Sequence, residues 1–398
     1  MVYTERQARL TILSLALGAF GIGVTEFAAM GLLPYYAVDL GVSEPQAGHA
    51  VSAYAIGVVV GAPVLAVLGS FLPRKLLLVL LMAFFMLANL LTACSTGLDT
   101  LVIARVLAGL PHGAFLGIGM LFAAEMSPEG RKAAGVAQVL MGLTVANVIG
   151  VPLAGAVGQA FGWRWCFVIV AVIAAGSAAM IARVAPQPQD GPAPSLLREL
   201  SALTNRAVWL TLLVGAIGFG AVFAVYSYFS AAMIAVGGAP EWAIPLALSG
   251  FGIGATAGNY YAGRLAGWSH LGGALVLLLG MAAASLLYAA VMGNWIAMAL
   301  VVAVLGLTAG LVIPLQMRLM DVAGEGQTLA AALNHAAFNA ANALGPWLAG
   351  IGLAAGYGWS VTGHVAAALA LGGIAVLGLA WLDARPGRRA SAVPAQGC

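Results

Sequence analysis

An acid stands alone in a long apolar run: Gly23-Val24-Thr25-Glu26-Phe27-Ala28-Ala29-Met30. If that run crosses a bilayer, an ionised carboxylate at its centre costs about 2.5–3.5 kcal/mol on insertion scales. Such a group must face a partner, a water-filled space or a proton. Reversible proton binding, in competition with a substrate or a cation, is the chemistry Glu26 offers. The competing reading is a carboxylate fixed in a structural hydrogen bond. Arg105 lies in a second apolar run, Ile103-Ala104-Arg105-Val106-Leu107-Ala108-Gly109-Leu110-Pro111-His112-Gly113. Its guanidinium stays protonated at any relevant pH, so it can hold a nearby carboxylate charged or turn a proton away. It is also near the start of its run, where a long cationic side chain can snorkel to a membrane surface. His112 follows on nearly the same helical face. Imidazole titrates near neutrality and suits a proton relay; a satisfied packing histidine is the plainer reading.

A further polar stripe comes late in the chain. His335, Asn339 and Asn342 are spaced by four and three residues, which places them on one helix face. In a bilayer that face should turn to the bundle interior. It is either the wall of a cavity that binds polar substrate groups or interhelical glue, worth about 0.6 kcal/mol per bond. Aromatic rings that bind sugars, drugs and cations alike are candidates for the same space: Tyr54, Phe115, Tyr226, Tyr228 and Phe338. Most intramembrane aromatics simply pack.

The elements that hold these residues follow from composition. The chain is 62% hydrophobic and 7% charged, against about 25% charged in soluble domains. Lipid must therefore be the solvent. Runs of twenty apolar residues span a hydrocarbon core of about 30 Å, and their continuity favours helices over a barrel. Twelve spans are expected: near 10–33, 46–69, 76–95, 99–124, 133–158, 164–184, 207–231, 243–265, 270–292, 294–318, 327–353 and 359–382. The domain reading is a six-helix bundle over 1–185, a Pro-rich cytoplasmic linker at 186–206 ending in a short amphipathic helix, a second bundle over 207–383, and a basic tail at 384–398. Arg6, Arg9, Arg74, Lys75, Arg131, Lys132, Arg183, Arg198, Arg206, Arg264 and Arg318 sit at alternate boundaries, so both termini are expected on the cytoplasmic side. The first run is read as a retained span rather than a signal peptide. Cys94, Cys166 and Cys398 are too scattered for a disulfide framework or a metal site.

The two halves echo one another. Ala146-Asn147-Val148-Ile149-Gly150-Val151-Pro152-Leu153-Ala154-Gly155 returns as Ala341-Asn342-Ala343-Leu344-Gly345-Pro346-Trp347-Leu348-Ala349-Gly350, and each copy is followed by a Gly-Trp pair. Ile56-Gly57-x3-Gly61 likewise resembles Ile253-Gly254-x3-Gly258, where small residues let helix backbones approach closely. With 53 glycines in the chain, chance is the competing account of this shorter echo. A half-chain repeat in an almost uncharged polypeptide marks a two-lobed transporter. No Walker loop, His-Glu-x-x-His or Gly-x-Ser-x-Gly occurs, which removes ATP as direct energy source and argues against an enzyme.

These motifs carry a resemblance. Gly142, Asn147 and Gly150-Val151-Pro152-Leu153-Ala154-Gly155 match an antiporter motif of the fifth span. Arg105-Val106-Leu107-Ala108-Gly109 matches a span-four motif whose arginine is implicated in proton transfer. Thr25-Glu26-Phe27 with Met30-Gly31-Leu32-Leu33-Pro34, and Pro111-His112-Gly113-Ala114-Phe115, look like segments of the same branch. The chain resembles the major facilitator superfamily over nearly its whole length, and within it the twelve-helix drug:proton antiporters of the arabinose-inducible and sugar-efflux branch. The resemblance implies an all-α integral membrane fold of two pseudo-symmetric six-helix bundles, rocking around a central cavity, with the span-five motif at the lobe interface favouring export. One departure stands in the loop after the second span, Gly69-Ser70-Phe71-Leu72-Pro73-Arg74-Lys75. Many relatives carry an aspartate where Pro73 stands; the matching loop at Arg264 and Gly267 also lacks the acid.

The expected protein is thus a multi-pass inner-membrane exporter of a sugar, nucleoside or drug, driven by the proton gradient without cofactor, metal or nucleic acid, in contact with lipid and working as a monomer. A facilitator or importer of the same fold, a polytopic membrane enzyme and a receptor are the rivals.

Overall fold

A computed structural model describes residues 4–69, 72–128, 132–186, 201–324 and 327–384, all of them helical or connecting, with no strand among them. The linker residues 187–200 and the tail from 385 onward, including the expected amphipathic helix, lie outside the described residues. Twelve long helical segments follow one another. The first six are α1 (Glu5–Gly31), α2 (Glu44–Gly69), α3 (Arg74–Ala93), α4 (Leu98–Met126), α5 (Gly135–Phe161) and α6 (Trp163–Val184). The second six are α7 (Arg206–Ala235), α8 (Ala243–Trp268), α9 (His270–Ala290), α10 (Trp295–Val322), α11 (Gln327–Ala354) and α12 (Val361–Asp383). A short helix, Leu33–Asp39, extends α1. Among the described residues nine of these segments are long and apolar enough to cross a membrane on length and composition alone. The other three, α2, α8 and α11, have 26, 26 and 28 residues, about 39–42 Å at 1.5 Å per residue. Each carries glycines set against the backbone of another helix, Gly57 and Gly61 in α2, Gly254 and Gly258 in α8, and Gly345 in α11.

The glycine echo has a physical basis. A Cβ on Gly57 would collide with the carbonyl of Val106, and one on Gly61 with that of Leu110, so α2 and α4 touch backbone to backbone. Gly254 and Gly258 stand in the same way against the carbonyls of Ala303 and Leu307, joining α8 to α10. The longer echo is less regular: Gly345 meets backbone, while its counterpart Gly150 meets the Val24 and Phe20 side chains, and Gly142, outside the echo, makes the backbone contact of its lobe. Gly142 abuts the Ala16 carbonyl between α5 and α1, and Gly345 abuts Gly220 and Ala224 between α11 and α7. The Gly-Trp pairs are turns: Gly162 has φ 97° and Gly358 φ 75°, a backbone region that side chains oppose.

Three segments depart from the uninterrupted helices expected. α5 contains a π-helical turn at Ala146–Gly150, where the Val151 N–H reaches back to the Ala146 carbonyl. Pro152 has no N–H to give to Val148, so the ladder slips by one residue there. α10 tightens into a 3-10 turn at Ala309–Leu311 ahead of Pro314 for a related reason. α7 breaks at Phe219, between Gly218 and Gly220. In α11, by contrast, Pro346 lies inside a continuous α-helix.

Each lobe also carries a matching polar contact on the face where the termini lie. Arg74 at the start of α3 pairs with Glu125 near the end of α4, and His270 at the start of α9 meets Asp321 near the end of α10 at 2.9 Å. With Pro73 in place of an acid, Arg74 thus pairs within its own lobe. On the opposite face Asp39 accepts from Trp163 at 3.1 Å and from Arg164 at 2.5 Å. Those donors, Arg164 foremost, hold the Asp39 carboxyl below its ordinary range. Its contribution to stability is therefore present above the usual carboxylate pKa and fades as the pH falls through the lowered one.

The helix crossings predict a sharp contrast between glycines. Gly57→Val should destabilise detergent-purified protein by about 1–3 kcal/mol or more. Gly117→Ala, where a Cβ meets open space, should change stability by less than about 0.5 kcal/mol. Thermal unfolding of both variants in one detergent checks it.

Candidate functional site

Glu26 lies where the two lobes meet. Its side chain is 8% exposed, and its Oε1 accepts a hydrogen bond of 3.0 Å from Asn342 Nδ2. Glu26 belongs to α1 and Asn342 to α11, so this bond joins one lobe to the other. Ser52 on α2 donates to the Ala343 carbonyl at 3.0 Å, one residue along α11. Gln159 at the end of α5 donates to the Glu241 carbonyl at 2.9 Å. These are the three hydrogen bonds described between the lobes. All lie at the level of Glu26 or beyond it, toward the face opposite the termini. Tyr228 completes this contact: its hydroxyl donates to the Pro346 carbonyl at 3.1 Å and fills the space beside Gly48.

Arg105 does not snorkel. It is 1% exposed, two turns inside α4. Its Nη1 and Nη2 donate to the hydroxyl and the carbonyl of Thr25, at 3.1 and 3.2 Å. The Thr25 hydroxyl donates in turn to Asn89 Oδ1 at 2.7 Å, and Asn89 donates to the Phe85 carbonyl of its own helix. The guanidinium carbon sits 4.2 Å over the Tyr54 ring and 5.5 Å from that of Phe167. No described ion pair joins Arg105 to Glu26, although the two interact electrostatically. The positive charge is thus spread over Thr25 and two ring faces, next to the acid but not bonded to it.

Tyr54 extends the cluster. Its hydroxyl is 3.1 Å from His112 Nδ1, and His112 lies within electrostatic reach of His335 on α11 across the lobe boundary. Asn339 Nδ2 donates to the His335 carbonyl at 3.0 Å, a bond within α11. Glu26, Arg105, Tyr54, His112, His335 and Asn342 therefore form one buried polar region shared by α1, α2, α4 and α11. The aromatic candidates divide. Tyr226 meets Phe27 of the other lobe at 6.0 Å and Phe251 at 4.3 Å, and Phe338 meets Phe219 at 4.7 Å. Phe115 is fully buried against Gly18, between α4 and α1. In the motif of α5, Asn147 donates to the Leu143 carbonyl of its own helix, and its backbone carbonyl packs on Gly252 of α8. Gly150 packs on Val24 and Phe20 of α1, and Gly155 faces Pro245 of α8. Of the loop residues, Gly69 ends α2, Lys75 lies in the first turn of α3, and Arg264 stacks over Tyr260 at 4.2 Å.

Asn89 and Phe27 were not singled out by sequence reasoning. For Asn89 the signal was present, a lone amide inside an apolar span; for Phe27 it was not, since an intramembrane phenylalanine ordinarily packs.

Thr25 ties the region together and sets a test. Thr25→Val keeps the volume but leaves Arg105 Nη1 without an acceptor and Asn89 Oδ1 without a donor. It should cost about 1–3 kcal/mol, read as a lowered thermal midpoint, and Thr25→Ser should restore most of it.

A family model described as the Major Facilitator Superfamily matches residues 15–325. The chain is 40% identical to the inner membrane transport protein YdhP of Escherichia coli (strain K12) over 364 residues, 90% of this chain and 94% of that one. It is 35% identical to a chloramphenicol resistance protein of Streptomyces lividans over 255 residues, covering 63% of this chain and 65% of the other. Its backbone superposes with a TM-score of 0.73 on the crystal structure of a bacterial homologue of the human lysosomal transporter Spinster, inward-facing and unoccupied. That match has 15% identity and covers 95% of this chain and 96% of that chain. The relatives are transport proteins rather than enzymes, and the repeated lobes, their shared boundary and the match over most of the chain agree: the chain belongs to the major facilitator superfamily.

Proposed function

We propose that the protein exports a small organic molecule across the bacterial inner membrane in exchange for protons, by alternating access between its two lobes. The observation that carries this reading is the hydrogen bond from Asn342 to Glu26. A bond to an ionised carboxylate is roughly twice as strong as one between neutral groups. The charge on Glu26 therefore sets how firmly the lobes are held at their boundary, and a proton arriving there loosens the hold. A substrate that displaces the proton, or takes the place of Asn342, acts on the same contact. Arg105 supports the carboxylate from outside bonding distance, and Tyr54, His112 and His335 offer titratable or hydroxyl groups for the proton's path. The positively charged loops support a cytoplasmic location for the termini; in that orientation the three cross-lobe hydrogen bonds would close the pathway on the periplasmic side. Export, rather than uptake, is supported by the motif of α5 at the lobe boundary and by a relative named for chloramphenicol resistance. The energy source is the proton gradient, and a single copy suffices because both lobes lie in one chain.

The test uses proteoliposomes with an imposed pH gradient and labelled chloramphenicol, arabinose and a nucleoside as cargo. The wild type should move at least one of them against its concentration gradient. Glu26→Gln should lower that flux at least tenfold with its thermal midpoint retained. Undiminished pH-driven flux in the variant, or downhill flux alone in the wild type, rejects proton coupling at Glu26 and leaves a facilitator.

A further inference from the structure

Three amide oxygens of α11, those of Asn334, Asn339 and Asn342, are sealed from water with nothing to accept, and the last two lie nearest in sequence to the contact with Glu26. Asn342 is 1% exposed and Asn339 6%, and neither Oδ1 has a hydrogen-bond partner in the protein. Their orientation is fixed by what the nitrogens do. Asn342 Nδ2 donates to Glu26, and Asn339 Nδ2 donates to the His335 carbonyl. Turning either amide over would set oxygen against oxygen. Residues three apart on a helix have side chains about 5–6 Å from each other, so Asn339 shares the face of α11 from which Asn342 reaches the carboxylate. A buried acceptor left unmade carries a penalty, and here two share one face with an acid.

The surroundings supply no donor to fill them. The unpartnered guanidinium nitrogen of this region, Arg105 Nε, is covered by the rings of Tyr54 and Phe167. Aromatic faces stand nearby instead, with Phe27 and Tyr226 in contact across the boundary and Phe338 adjacent to Asn339 in the chain. The site offers acceptors, ring faces and the carboxylate of Glu26, while the neighbouring Arg105 charge is held by Thr25 and the two rings. Its complement is a compact cluster of N–H donors carrying positive charge.

We propose that the cargo binds here through a protonated primary amine, with Asn339 and Asn342 as the specificity-determining acceptors beside Glu26. This rests on the transport reading above and narrows it. A primary ammonium has three donors for three acceptor groups. A quaternary ammonium brings the same charge without a donor, and an alcohol brings one donor without charge. A site built to accept hydrogen bonds rejects an analogue that lacks them far more strongly than an apolar pocket rejects a change of size.

Three probes with one body separate these terms: 2-phenylethylamine, its N,N,N-trimethyl analogue and 2-phenylethanol. Their binding to purified full-length protein at neutral pH is measured by titration calorimetry. The amine should bind at least tenfold more tightly than either analogue. Asn339→Leu should shrink the preference over the trimethyl analogue at least threefold. Its thermal midpoint should hold, because the Asn339 amide bonds only within its own helix. Equal binding of amine and trimethyl analogue, no binding of the amine, or an unchanged preference in Asn339→Leu overturns the proposal. The pH-gradient assay is scored apart from this. A protein that prefers the amine yet shows no pH-driven flux retains this site and loses proton coupling; one with pH-driven flux and no amine preference retains the coupling and loses this site.

Discussion

A carboxylate held between two halves of a protein, bonded to one and built into the other, is subject to opposing demands. Burial disfavours its charge, while its hydrogen bond to Asn342 and the field of Arg105 favour it. Had Arg105 bonded directly to Glu26, the pair would be a closed ion pair, and breaking it would leave an uncompensated charge at a cost of several kcal/mol. Instead Thr25 takes both guanidinium contacts, and Tyr54 and Phe167 cover the rest. The two terminal guanidinium nitrogens keep these partners whether Glu26 is charged or not. That separation leaves the acid's one described hydrogen bond to the opposite lobe, and makes the lobe boundary the place where its charge has a mechanical effect.

The rest of the architecture keeps the boundary narrow in what can change. Within each lobe, glycines put helix backbones in direct contact, α2 on α4 and α8 on α10, α5 on α1 and α11 on α7. Such crossings leave no side chain to rearrange, so each lobe has little freedom to deform internally. Between lobes α2 lies along α11, and the Asn147 carbonyl of α5 packs on Gly252 of α8; three hydrogen bonds, a tyrosine against a glycine and aromatic rings meeting at their edges join the same boundary. Contacts of that kind can break and reform without remaking a core. Stiff halves that meet along a separate boundary are what a rocking movement requires.

Much of this was legible in the residues. Glu26 announced itself because no apolar run tolerates an unexplained acid, and nine of the twelve described helical segments followed from apolar length. The repeat predicted two equivalent lobes, and the glycines of its shorter echo proved to sit at equivalent helix crossings. Arg105 was ambiguous, because a cation near a helix end reads the same whether it snorkels or is buried; its fate depends on Thr25, Tyr54 and Phe167, which come from three other helices. The cross-lobe bond was likewise out of reach. Asn342 was marked as polar and inward-facing, but nothing in its own segment says that the group it meets lies in the first helix. Pro73 was read as a gap in a charge lock; the pairing of Arg74 with Glu125 depends on how α3 and α4 converge.

The π-helical turn in α5 breaks the equivalence of the halves at one point. A wider turn holds one residue more than the helix around it, which on its own would rotate everything downstream by about 100° relative to an unbroken α-helix. Beyond it, however, the contacts of the two copies match: Gly155 faces Pro245 at the start of α8, and its counterpart Gly350, in the α11 that runs straight through Pro346, lies by the Pro45 carbonyl at the start of α2. The wider turn therefore takes up its extra residue locally, and both segments still present the same small residue to the opposite lobe.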